Sequence, residues 1–117
     1  MTDNRVVAEP VFVRFDDVKS FELAAGVIGR PLFGAGAMIN LIELEPDAVV
    51  PLHSHPHEQI GYVVRGAIQF TIGERVEVLR AGDGYVIPGG VPHSCLGLES
   101  SLAVDVFAPV RDEYKPQ

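Results

Sequence analysis

The chain reads as an all-β single domain, a set of short strands folded into a sandwich or a closed barrel. Three observations predict this. Short apolar runs rich in Val, Ile, Leu and Phe recur from end to end, glycine or proline separates most of them, and no sustained 3.6-residue apolar period is found outside one short segment. Strands of this kind must each bury a face, and in a small domain a sandwich or barrel does so.

The runs, in order, are Val11–Phe15, Gly26–Leu32, Ala37–Leu44, Val49–His53, Gln59–Val64, Ala67–Ile72, Val76–Leu79, Tyr85–Ile87, His93–Leu98 and Leu102–Phe107. Pro31, Gly34–Gly36, Pro46–Asp47, Gly66, Gly73–Glu74, Ala81–Gly84 and Pro88–Pro92 punctuate them. Asp16–Ala25 carries the exception, a single helical turn with an Asp cap. Residues 1–10 form an N-terminal segment, 11–111 the barrel and 112–117 a short tail. The apolar stretch PVFVRF near the start is a candidate interface strand for a homodimer.

With 117 residues and 47% hydrophobic content, the chain has material for one core. The start, MTDNRVVAEP, lacks the apolar stretch of a signal peptide, and no run approaches the ~20 apolar residues of a membrane span. Cys95 is the only cysteine, so no intrachain disulfide forms, and a reducing cytoplasm is the expected compartment. A net charge of −7 argues against nucleic acid as a partner, because phosphates would be repelled.

The histidines carry the chemistry. All four lie in two places: His53, His55 and His57 within HSHPHEQ, and His93 downstream within PGGVPHS. Imidazole is the commonest transition-metal ligand and works best when several converge. In a regular strand, residues two apart share a face, so His53, His55, His57 and Gln59 would line one side. A surface tract or a scavenger of stray metal remains the competing reading on spacing alone. Asp105 is an acid within the apolar run LAVDVF, where it shares a face with Ala103 and Phe107. A lone carboxyl there is costly to bury unless paired, so it is either a paired structural group or a pocket acid or base. Gly61 continues the face of Gln59, where the missing side chain widens a cavity or accommodates a neighbour. Cys95 has the parity of His93 and reads as a small buried hydrophobe.

These segments resemble the two motifs of the cupin superfamily. The first is met by His53, His55, Gln59 and Gly66, with Gln in place of the usual Glu, and the second by Gly82, Pro88, Gly90 and His93. The resemblance implies a cupin-type double-stranded β-helix, or jelly-roll barrel. It also implies one divalent transition metal (Ni, Zn, Fe, Mn or Co) held by His53, His55, Gln59 and His93. A narrower resemblance lies in the ending DVFAPVR and in His57, Gln59, Tyr62 and Val63, which are similar to the small pectin-degradation (KdgF-type) cupins. Those proteins act on unsaturated uronates and promote their conversion to linear keto-deoxy sugars. The similarity implies functional roles for Asp105 and Arg111, with Phe107 lining the pocket, and a small sugar acid as the partner. Two other readings stay open: a cupin dioxygenase using Fe or Ni, and a non-catalytic binder of metal and a small ligand. With Gln for Glu, three imidazoles and an amide leave the full +2 on the ion, which favours an anionic ligand.

Overall fold

The computed structural model describes residues 6–111. Its strands are β1 (Val6–Val7), β2 (Phe21–Ala24), β3 (Val27–Gly34), β4 (Met38–Leu44), β5 (Val49–His53), β6 (Glu58–Arg65), β7 (Ala67–Ile72), β8 (Arg75–Arg80), β9 (Gly84–Ile87), β10 (His93–Gly97) and β11 (Ser101–Ala108). They form two sheets. The larger has seven strands in the order β1-β3-β4-β11-β6-β9, with β2 also on β3, and the smaller runs β5-β10-β7-β8. All pairings are antiparallel except β1 with β3. This is the jelly-roll expected, with inner faces set by alternation: Val27, Gly29, Pro31 and Phe33 on β3, Met38, Asn40, Ile42 and Leu44 on β4, and Ser101, Ala103, Asp105 and Phe107 on β11 are the buried residues of their strands.

The core has two parts. Val27, Ile42, Leu44, Val63, Ile68, Phe70 and Ile87 belong to the main cluster, while Phe33, Met38, Phe107 and Val110 form a smaller one. Fully burying side chains of this size contributes roughly 1.5–3 kcal/mol each. Among the described residues no helix is long and apolar enough to cross a membrane.

Two local expectations are corrected. Val11–Phe15 is not a strand: residues 11–14 are irregular, Phe12 is fully exposed, and Phe15 opens a 3-10 turn, Phe15–Asp17. No described strand pairs with that run, and unpaired backbone gains nothing from being extended. The helical turn expected over Asp16–Ala25 shrinks to that 3-10 turn, which has no side-chain cap. Phe21–Ala24 instead pairs with β3 through a turn at Ala25–Gly26. A tight hairpin onto an existing sheet outcompetes a helix nucleus too short to propagate. The tail at 112–117 lies outside the described residues.

Candidate metal centre and cavity

His53, His55 and His93 come together with their ligand nitrogens within 4.8 Å of one another. They do so by a different route from the single strand face suggested by their parity. His53 ends β5 in the smaller sheet, and Ser54–His57 form the crossing between sheets. Gln59 lies on β6 in the larger sheet. His93 opens β10 and is paired directly with His53. The barrel lumen, rather than one strand, makes these side chains converge. His57 falls outside the cluster. Its ring centroid lies 5.5 Å from that of His55, and its backbone carbonyl accepts a bond from the His55 ring.

Two loops are locked together to fix this geometry. The Gly90 amide donates to the His55 carbonyl at 2.8 Å. A side chain on Gly89 would sit 2.3 Å from the Pro56 carbonyl oxygen, so this close approach requires glycine. The PGGVP stretch therefore sets His93 and also braces the His55 turn.

The hydrogen bonds settle which nitrogens face inward. Nδ1 of each of the three rings lies against a main-chain carbonyl: His53 on Pro51 at 2.8 Å, His55 on His57 at 3.1 Å, His93 on Val91 at 2.9 Å. A carbonyl only accepts, so each Nδ1 carries a proton and each Nε2 is left to face the corner. His93 Nε2 is buried without a protein partner. His55 Nε2 lies 3.2 Å from Gln59 Oε1, an acceptor facing an acceptor once Nδ1 holds the hydrogen. Burial, and then the charge of Arg111, hold the His55 ring below its ordinary pKa; burial is also the main cause for His93. Three imidazoles with Nδ1 spent on main-chain carbonyls and Nε2 turned into one corner fit a divalent transition ion, and backbone-oriented rings are the usual support of such a site.

Beside this corner lies a cavity of about 250 Å³, lined among others by His53, Gln59, His93, Asp105, Phe107 and Arg111. Arg111 is buried and its guanidinium sits 5.1 Å over the Phe107 ring. That ring in turn meets His55 edge-on at 5.6 Å. Asp105 is paired, as burial demands: the Tyr85 hydroxyl donates a hydrogen bond to Oδ1. Burial still lifts its carboxyl to about 6, offset by hydrogen bonds from Tyr85 and Gln59 and by the Arg111 charge. Desolvation, with Asp105 nearby, pushes the Cys95 thiol up to about 12, so Cys95 stays a protonated thiol in the cavity wall.

In the sequence Tyr85 is simply the first residue of an apolar run, with no functional signal of its own. A side chain on Gly61 would lie 1.9 Å from Tyr85 Cζ, so the space over Gly61 is filled by that ring rather than left open to the cavity. The available signal was a tyrosine paired across from a glycine, but the pairing of Gly61 with Tyr85 exists only once β6 and β9 are neighbours.

Fold and site together define a barrel built to hold a metal ion. The chain matches the Cupin domain family over residues 40–107 and belongs to it. It is similar to the structure of KdgF from Halomonas sp., with 29% identity, a TM-score of 0.84, and 90% of this chain and 98% of that one covered. An RmlC-like cupin from Shewanella frigidimarina is 25% identical with a TM-score of 0.85, covering 91% and 96%. Germin-like protein subfamily 3 member 4 of Arabidopsis thaliana is 32% identical over 80 residues, 62% of this chain and 38% of that protein, so the chain spans less than half the length of that relative.

Proposed function

We propose that this protein is a metal-dependent enzyme that opens an unsaturated uronate, or a related small acidic sugar, to its linear keto form. The observation that carries the reading is the set of converging acceptors, three Nε2 lone pairs and Gln59 Oε1, sharing a cavity with a buried acid and a buried arginine. The likeness to KdgF supports it. His53, His55, His93 and Gln59 would hold one divalent ion, which supplies a Lewis acid for substrate oxygens.

The chain's own groups divide the remaining work. Arg111, pinned over Phe107, receives the substrate carboxylate. Asp105, with a carboxyl near 6, takes the proton of the ring hemiacetal hydroxyl as the ring C–O bond breaks. It then returns a proton to the vinyl carbon as the released enol becomes the ketone, so the reaction is an isomerisation. Phe107 covers one side of the pocket and excludes water from the His55 corner. A homodimer belongs to the same proposal. Ile60, Tyr62, Val64, Val86 and Val106 are exposed on neighbouring strands of the larger sheet and offer an apolar face to a second copy.

The test is steady-state kinetics on a purified unsaturated uronate, following loss of its conjugated chromophore. Asp105→Asn is expected to lower kcat by about 10²–10⁴-fold with unchanged metal content. Arg111→Ala mainly raises KM. Wild-type protein that is loaded with metal yet turns over no uronate sinks the substrate reading. Normal turnover by Asp105→Asn returns that residue to a structural role.

A further inference from the structure

We propose that Tyr85 is a positioning residue for the metal corner, acting through Asp105 on Gln59. The inference rests on the ligand set of the preceding section. Four observations lead to it. The Tyr85 hydroxyl donates to Asp105 Oδ1, and both side chains are buried. Gln59 and Asp105 are diagonal neighbours on the inner faces of β6 and β11, because Asp105 pairs with Gly61 and Phe107 with Gln59. The register brings the Gln59 amide within reach of the Asp105 carboxyl, and Gln59 is among the groups that hold that carboxyl down. Gln59 Oε1 then faces His55 Nε2.

This chain has a direction. A carboxylate accepts only, so Gln59 must turn its NH2 toward Asp105, which leaves Oε1 facing the imidazoles. An amide flipped the other way would put a donor at the metal corner and two acceptors against each other. Asp105 therefore chooses the face of the Gln59 amide, and Tyr85 fixes Asp105. The tyrosine is itself held on both sides. Its ring lies over Gly61, where no side chain fits, and stacks at 4.2 Å against Phe70. Tyr85 also separates the metal cavity from a second cavity lined by Ile72, Arg75, Glu77 and Leu79. Its ring forms part of the cavity wall and its hydroxyl is spent on Asp105, so its effect on the metal corner passes through the two side chains it aligns.

Tyr85→Phe keeps the ring and removes only the hydroxyl. In metal-free protein, the Gln59 side-chain amide protons, assigned by their disappearance in Gln59→Glu, are read by NMR. The expected result is a shift and faster solvent exchange of these signals in Tyr85→Phe, absent when the same substitution is made on Asp105→Asn. In cobalt-loaded protein, Tyr85→Phe should change the visible d–d bands and weaken cobalt binding about 10- to 100-fold, as loss of a ligand-orienting partner does. A Tyr85 with only a packing role would leave both signatures untouched. Unchanged Gln59 amide signals, or an equal effect in the Asp105→Asn background, overturns the proposal. Failure of wild-type protein to bind cobalt would overturn the ligand set instead, while the metal-free NMR comparison still decides the role of Tyr85.

Discussion

Replacing Gly61 by alanine tests the inner architecture of the barrel with a single methyl group. The backbone at Gly61 is not in the left-handed region, so alanine is allowed there conformationally. The obstacle is the Tyr85 ring, with Cζ at 1.9 Å, Cε2 at 2.2 Å and the hydroxyl oxygen at 2.3 Å from the added carbon. A shift of a few tenths of an ångström cannot relieve such distances, so the ring must leave its place. Leaving, it gives up its contact with Phe70 and its bond to buried Asp105. Overpacking costs about 1–3 kcal/mol and an unsatisfied buried polar group about 1–3 more, which together give roughly 2–6 kcal/mol. Urea unfolding of the metal-free protein measures this as a lowered midpoint at constant slope. A double-mutant cycle sharpens the test. Tyr85→Ala alone should cost about 3–5 kcal/mol. On that background Gly61→Ala should be neutral or stabilising by up to about 1 kcal/mol, because alanine is preferred to glycine within a strand. A Gly61→Ala protein within about 1 kcal/mol of wild type, or one equally destabilised in both backgrounds, would refute the reasoning.

His55→Ala and His93→Ala are each expected to reduce bound metal sharply from about one ion per chain while the far-ultraviolet spectrum stays that of a folded barrel. Elemental analysis after demetallation and reloading checks this, and full stoichiometry in both variants removes them as ligands. Gln59→Glu should tighten metal binding, since a carboxylate is the stronger ligand, yet weaken binding of a carboxylated sugar by reducing the site's charge. Separate metal and ligand titrations decide it, and a gain in ligand affinity counts against the electrostatic argument. Stability should also depend on pH through Asp105. Its carboxyl is raised from 3.8 to about 6, so the folded state binds the proton more tightly. The resulting stabilisation is full below the unfolded value and is lost as pH rises through about 6, by roughly 3 kcal/mol. Metal-free wild type should lose this relative to Asp105→Asn between those values in paired denaturant titrations, and parallel pH profiles would contradict the assignment.

Local sequence determined much of this protein. Apolar runs broken by turn residues marked β7 and β5 to the residue, and within a strand side chains alternate between the two faces. The same alternation put Ala103, Asp105 and Phe107 on one face of β11, and that face is the buried one. The two histidine segments were legible for a chemical reason: imidazoles are few, and their clustering has little structural purpose. Tertiary structure decided what these residues do together. Parity within HSHPHEQ suggested one strand face, but the chain leaves the smaller sheet after His53 and enters the larger one at Glu58. The three rings and Gln59 therefore meet across the barrel lumen. The pairing of β6 with β9, and of β6 with β11, brings Tyr85 over Gly61 and beside Asp105, residues 20 or more positions apart. Periodicity records which way a side chain points from its own strand. It holds no record of which strand lies alongside, because that choice is made by the register and closure of the whole barrel.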